Sequence, residues 1–297
     1  MISNSMEANG PRPKHLSIGR IGMYFFIVMC ALFFLMPLYV MLVTSFKDMD
    51  EIRSGNLLYI PKSLSFYAWP KAWSQACTGF VCEGLKPGLV NSLKITIPSV
   101  IVSVSLGAIN GYALAFWRFK GAYFFFGLCL FGAFIPYQVM VYPLLKIESA
   151  LGIYSSLPGI ILVHTIFGMP ILTLIFRNFY ASLPIDLFKA ARIDGGNFLK
   201  IFFYVIIPMS TPITIVAVIL QVTGIWNDFL LGLIFAGRDN QPMTVQLNNI
   251  VQVDYGVAEY NVDMAATILT SMIPLAVYFI SGRWFVRGIA AGAIKAV

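Results

Sequence analysis

Six stretches of this chain contain no charged residue: 21–46, 95–117, 121–145, 149–176, 201–227 and 264–282. Each is near or above the ~20 residues an α-helix needs to cross the hydrocarbon of a bilayer. A backbone out of water must satisfy its own amides and carbonyls, so runs of this kind predict spanning helices and an all-α, polytopic membrane fold. Composition agrees, with 59% hydrophobic and only 11% charged residues, where a soluble domain has roughly a quarter charged. One aqueous core could not bury so much apolar surface, and the surplus faces lipid. The first run is too long for a removable signal peptide and lacks its small-residue cleavage pattern, so a retained anchor is expected.

Six spans put both termini on one side. The segments on that side carry Arg12, Lys14, Arg20, Arg118, Lys120, Arg177, Lys189, Arg192, Lys200, Arg283, Arg287 and Lys295, against the acids Glu7, Asp186 and Asp194. The other side carries eight basic and ten acidic residues. The positive-inside bias therefore assigns the first side, with both termini, to the cytoplasm. The net charge of +7 does not point to nucleic acid, because the basic residues lie in connections between apolar runs and not on one soluble face. The expected layout is a tail at 1–20, a permeation domain at 21–285 and a tail at 286–297. Its spans fall at about 21–45, 93–117, 121–145, 152–176, 207–236 and 263–283. Two larger loops, roughly 47–94 and 238–263, face outside; the first contains Tyr67, Trp69 and Trp73. Such loops suit contact with a partner or ligand, or simply connect helices.

The cytoplasmic segment 182–208 contains DLFKAARIDGGNFLKIFFYVIIP. Ser182 can cap a helix, Pro184 is tolerated in its first turn, and Asp186 favours the positive end of the helix dipole. Leu187, Ala190, Ala191 and Asp194 fall at three- and four-residue spacing on one face. Asp194-Gly195-Gly196-Asn197 ends the helix, since glycine adopts the left-handed conformation readily. A second amphipathic run, 198–207, leads to Pro208. The result is a compact helix-turn-helix whose alanines let another surface approach; an interfacial helix resting among headgroups is the alternative.

Polar groups within spans are costly and mark candidate solute paths. Pro136, Tyr137 and Gln138 form one cluster; Gln221, Trp226, Asn227 and Asp228 form another. Counting ~1.5 Å per residue places both in the outer half of the bilayer, where they could line one cavity. Amides and carboxylates suit sugar hydroxyls, and aromatic faces suit apolar sugar faces. Equally, Gln138 and Gln221 could join helices and Asp228 could mark the interface. His164 reads as packing, Lys94 as snorkelling outward, and Cys30 and Cys129 as apolar fillers. Cys77 and Cys82, five apart in an external loop, could form a local disulfide in an oxidising compartment; spacing leaves this open.

No phosphate-binding G-x-x-x-x-G-K-[ST] loop occurs, nor any Gly-Lys pair. Any ATP-driven process needs its ATPase on another polypeptide. No metal-binding cluster, serine–histidine pair or paired aspartates lies within the spans, which argues against an intramembrane hydrolase. An ion-coupled secondary transporter of a small polar solute would normally show inverted repeats and mid-membrane ionisable groups; neither is visible.

KAARIDGG followed by VIIP resembles the "EAA" loop, E-A-A-x-x-D-G-A, of permeases in binding-protein-dependent ABC importers. Ala190, Ala191, Asp194, Gly195 and Pro208 match, whereas Lys189 stands where the family usually has Glu. The stretches at 91–121, 226–235 (WNDFLLGLIF) and 283–297 (RWFVRGIAAGAIKAV) are similar to the maltose-type second permease of the carbohydrate branch. The CTGFVCEG insert resembles glucose-type permeases. The resemblance implies an inner-membrane sugar-transport subunit that is not itself an enzyme and binds no cofactor. ATP and Mg belong to two partner ATPase subunits, and a second permease and a periplasmic sugar-binding protein complete the assembly. It also implies that the 182–208 loop docks onto the ATPase.

Overall fold

The computed structural model describes residues 18–78, 81–117, 119–252 and 258–293. The expected basic positions Arg12, Lys14, Arg118 and Lys295 lie outside the described residues, as do the side chains of Arg283 and Arg287. Helix α1 (Ile18–Ser45) leads through α2 (Met49–Ser54) and α3 (Ala68–Ser74) to a two-stranded hairpin, β1 (Cys77–Thr78) and β2 (Val81–Cys82). Then follow α4 (Lys86–Phe116), α5 (Ala122–Phe134), α6 (Tyr137–Leu151), α7 (Leu157–Ala181), α8 (Ile185–Ile193) and α9 (Phe198–Ile201). After a π-helical turn at Phe202–Ile206 come α10 (Ile207–Met209), α11 (Thr211–Trp226), α12 (Leu230–Phe235), α13 (Met243–Val251) and α14 (Tyr260–Ala293).

Among the described residues, four helical stretches are long and apolar enough to cross a membrane: Gly19–Ser45, Lys86–Phe116, Leu157–Ala181 and Tyr260–Gly282. Two bent pairs raise the number to six. The third span, where Pro136 marks a helix break in the sequence, and the fifth are each a bent pair. In the third, α5 and α6 meet at 108°. Ile135 and Pro136 both have extended ψ there, 130° and 120°, because a proline drives its predecessor out of the α region and offers no N–H. In the fifth, Phe198–Met209 and Thr211–Trp226 meet at 81°. The second amphipathic run is not one regular helix either, since a π-helical turn ends at Ile206, two residues before Pro208. An extra residue in the turn relieves the clash between a proline ring and the preceding carbonyls. At the bend the Ser210 hydroxyl donates to the Ile206 carbonyl and lies 3.3 Å from the Tyr180 hydroxyl.

The centre of the fold is the parallel pair α4 and α7. Gly107 lies against Leu172 and Gly111 against Phe176 and Arg177, so that a Cβ on either would come within 2.7 Å of its neighbour. Gly107-x-x-x-Gly111, continued by buried Ser99 and Ser103, forms a seam of small residues that lets the two backbones approach. Both helices end on the same side as Arg20, here called the basic end.

At the opposite end, α2, α3, the hairpin and α13 form a platform over the span ends. Its small core joins Ala68, Ala72, Leu85, Met243, Val262 and Ala266. Gly88 N donates to Gln246 Oε1 at 2.7 Å, Met243 N to Ser92 Oγ at 2.9 Å, and Asn261 Nδ2 to the Lys47 carbonyl at 3.0 Å. These bonds tie α13 to α4 and α14 to the end of α1. Cys77 and Cys82 are disulfide-bonded across the hairpin.

Candidate functional site

At the basic end, α8 lies outside the bundle and is held by an aromatic cluster. Phe188 stacks on Phe116, with centroids 4.9 Å apart and planes 12° apart, and meets the edge of Trp117 at 5.8 Å. The Arg192 guanidinium lies 4.7 Å over the Trp117 ring, a cation–π contact. Tyr112, fully buried, packs on Phe198 at 4.8 Å and donates its hydroxyl to the Phe198 carbonyl at 3.3 Å. The last turn of α4 thus fixes both limbs of the loop.

The turn between the limbs is a Schellman motif. Gly195 has φ +77°, its N–H donates to the Arg192 carbonyl at 3.2 Å, and the N–H of Gly196 donates to Ala191 at 2.9 Å. These are the paired bonds that satisfy carbonyls left open at a helix end. Asn197 then caps α9 by accepting from Lys200 N at 2.9 Å.

Three details differ from the sequence reading. Ser182 does not cap α8; it follows α7, and its hydroxyl donates to the Phe179 carbonyl at 2.7 Å. Pro184 occupies the N-cap position of α8 and has no hydroxyl to offer. The inward face of α8 is Phe188 with half-buried Ala191, whereas Leu187, Ala190 and Asp194 are exposed. Phe188 was the missed residue; an aromatic three positions before Ala191 on a short amphipathic helix was the available signal. Lys189 points away from the bundle and pairs with Asp186 at 3.2 Å, both side chains exposed. Pro208 sits within the broken fifth span, beyond the π-helical turn.

A cavity of about 560 Å³ opens between the α5–α6 elbow, α7 and the end of α11. That is within the ~300–1,000 Å³ typical of small-molecule sites. It brings together Tyr137, Gln221, Asn227 and Asp228 from the two sequence clusters and adds His164 and Phe167. His164 lies seven residues into α7 from the end opposite Arg20, about 10 Å along the helix. His164, read as packing, is buried, and it also borders the cavity.

The expected candidates separate by what their polar atoms already do. Gln221 Nε2 donates to the His164 carbonyl at 3.4 Å and joins α11 to α7. Asp228 accepts from Leu231 N at 3.3 Å and Gly232 N at 2.9 Å, capping α12. Trp226 is not in the cavity: it is buried and donates its Nε1 to the Thr270 carbonyl at 3.0 Å. Gln138 is exposed and does not line the cavity. Asn227, exposed on the cavity wall, and Tyr137, edge-on to Phe167 at 6.2 Å, keep polar atoms free of protein bonds among the described residues. Among those residues no group of three or more His, Cys, Asp or Glu could hold a metal.

A helical bundle with broken spans, a cavity between them and a braced helix outside one end defines a polytopic transport subunit. Residues 103–291 match the binding-protein-dependent transport system inner membrane component family, and the chain belongs to that family. It is thus an ABC importer permease subunit. It is 33% identical over 215 residues to the osmoprotective compounds uptake permease protein GgtD of Synechocystis sp., covering 72% of each chain. It is 31% identical over 278 residues to the glucose import system permease protein GlcU of Saccharolobus solfataricus, covering 90% of this chain and 92% of that one. Its fold is similar to a chain in the crystal structure of a bacterial ABC transporter involved in import of the acidic polysaccharide alginate. That similarity has a TM-score of 0.77 at 21% identity and covers 92% of this chain and 100% of the other.

Proposed function

We propose that this subunit forms half of the path of an ATP-driven sugar importer and receives force from an ATPase through residues 182–208. The observation that carries the reading is the state of α8. It is rigidly braced from behind by Phe188 and Arg192, yet its outward side presents Ile185, Leu187 and, 85% exposed, Ile193. Apolar side chains on a braced helix suit a protein groove, and a helix seated in a groove transmits rotation that a flexible loop would absorb. Lys189, Ala190, Ala191, Asp194, Gly195 and Pro208 belong to this device: the glycine sets the turn, exposed Ala190 permits close approach, and Ala191 seats the helix on its own bundle.

The basic end faces the cytoplasm of a bacterial inner membrane in this reading, with both termini there. Two ATPase subunits bind ATP and Mg at that end. A second permease completes the path, and a periplasmic sugar-binding protein docks on the platform that carries the Cys77–Cys82 hairpin. Sugar is the favoured solute because relatives with sugar permease names, GlcU among them, align over nearly the whole chain. The cavity also offers Tyr137, Asn227 and His164, a mixture of aromatic faces and hydrogen-bonding groups.

The decisive experiment purifies the chain with the products of neighbouring genes and measures ATP hydrolysis and uptake in proteoliposomes, with and without sugar and binding protein. ATP-dependent uptake stimulated by the loaded binding protein is expected. Ion-gradient-driven uptake by this chain alone would overturn the reading.

A further inference from the structure

We infer that the loop between α2 and α3 is a membrane anchor, inserted into the lipid leaflet remote from Arg20. Residues 56–67 read NLLYIPKSLSFY, with one lysine and no acid. Leu57, Leu58, Tyr59, Ile60, Leu64 and Phe66 are all exposed, Ile60 at 75%. A contiguous apolar patch on a loop is a binding surface for lipid or protein.

The path of the loop selects lipid. It does not rise from the end of α1 into water but turns back along the helix. Asn56 forms the turn, accepting from Leu58 N at 2.9 Å through its side chain and from Tyr59 N at 3.2 Å through its carbonyl. The Tyr39 hydroxyl then donates to the Leu58 carbonyl at 3.0 Å, and the return limb closes where Ser65 N donates to the Phe46 carbonyl at 2.9 Å. The descending limb therefore reaches the level of Tyr39, seven residues before Phe46, about 10 Å of helix rise.

That level coincides with the edge of the bilayer. Arg20 marks the basic interface, and Tyr39 is nineteen residues further along α1, a rise of about 28 Å against a hydrocarbon thickness of about 30 Å. Tyr39 and Tyr59 thus lie where aromatic residues gather at the membrane–water boundary. Lys62 N donates to the Glu51 carboxylate of α2 at 3.0 Å, which brings the loop back to the polar level after the 57–60 limb. The loop also continues the exposed apolar surface of α1, which runs almost uninterrupted from Ile21 to Leu42. Its role is to hold the outer end of α1 and the platform at fixed depth while the broken spans move.

The test places a nitroxide label at Ile60→Cys or, separately, Leu57→Cys in the full-length chain within its native assembly. Cys30 and Cys129, the free cysteines of the described residues, are replaced by alanine. The assembly is reconstituted in phosphatidylethanolamine–phosphatidylglycerol vesicles, with a label at Asp50→Cys as the aqueous reference. Collision with oxygen several-fold above collision with a water-soluble nickel chelate is expected at both positions, with the reverse at Asp50. Nickel-dominated collision would place the loop in water. Shielding from both reagents would mean that a protein covers it. Either result overturns the anchor, and the second position gives an independent reading if one variant does not assemble.

Discussion

Phe188 lies face to face with Phe116, 4.9 Å between ring centroids, and so joins the helix outside the bundle to the last turn of α4. Offset aromatic pairs add roughly 0.5–1.5 kcal/mol beyond the area they bury. Phe188→Ala is expected to loosen α8 by about 2 kcal/mol, less than the ~3–5 kcal/mol of a fully buried phenylalanine, because the ring is half-buried. Hydrogen exchange at 185–195 should quicken while the span helices stay protected. Uptake should fall further than ATP hydrolysis. Equal exchange in variant and parent would show that Phe188 does not brace the helix.

Gly195 supplies a left-handed backbone, φ +77°, in open space, with no atom within 4 Å of where a Cβ would stand. Within this chain, any effect of substitution is therefore conformational and not steric. Gly195→Val is expected to cost about 1–3 kcal/mol of local stability, whereas Gly195→Asn, which tolerates this region, should cost clearly less. The measurement is thermal stability of the purified assembly together with the ratio of ATP hydrolysed to sugar transported. Matching losses for Val and Asn would exclude the backbone explanation.

In the cavity, Gln221 and Asp228 already have bonds within the protein, whereas Asn227 and Tyr137 do not. Asn227→Ala and Tyr137→Phe are accordingly expected to raise the apparent KM for solute several-fold with little change in stability. Gln221→Leu removes the bond to the His164 carbonyl and should cost about 1 kcal/mol of stability. Asp228→Ala removes the cap of α12 and should cost about as much, with Asp228→Asn retaining most of it. Uptake kinetics and melting curves separate the two groups. A KM change at Gln221 alone would reverse the assignment.

The spans were legible because charge-free length is a nearly sufficient signal in lipid, and the Asp194-Gly195-Gly196 turn was legible because glycine chemistry is local. What escaped was tertiary. Pro136 announced a break, yet a bend of 108° depends on what α5 and α6 pack against. Ser182, two residues before Pro184, looked like a cap until α7 proved to extend to Ala181. Trp226 left the expected path for the same reason: adjacent turns of one apolar helix can face a neighbour or a cavity, and periodicity fixes spacing but not absolute rotation. The broken fifth span needed Tyr180 and Ser210, thirty residues apart, to meet.

On the platform, Lys71 reaches Glu259 at 2.5 Å and the Tyr67 hydroxyl at 2.8 Å, joining α3 to the approach of α14. The bond to Glu259, then that to Tyr67, raises the Lys71 pKa above its ordinary 10.5 against a smaller opposing effect of burial. A raised folded-state pKa means that the protonated, bonded form stabilises the fold. Its contribution is complete below the unfolded-state value and is lost as pH climbs through the folded-state value. Lys71→Met should therefore lower stability by up to about 1 kcal/mol, the range of partly exposed ion pairs, at pH 7 to 9. The difference between parent and variant should shrink only above about pH 10.5, where the lysine of the unfolded chain begins to lose its proton before that of the folded one. Melting curves across pH 7 to 11 check this, and a difference that vanishes at neutral pH in ~1 M salt would show that Coulomb attraction, not the hydrogen bond, carries the pair.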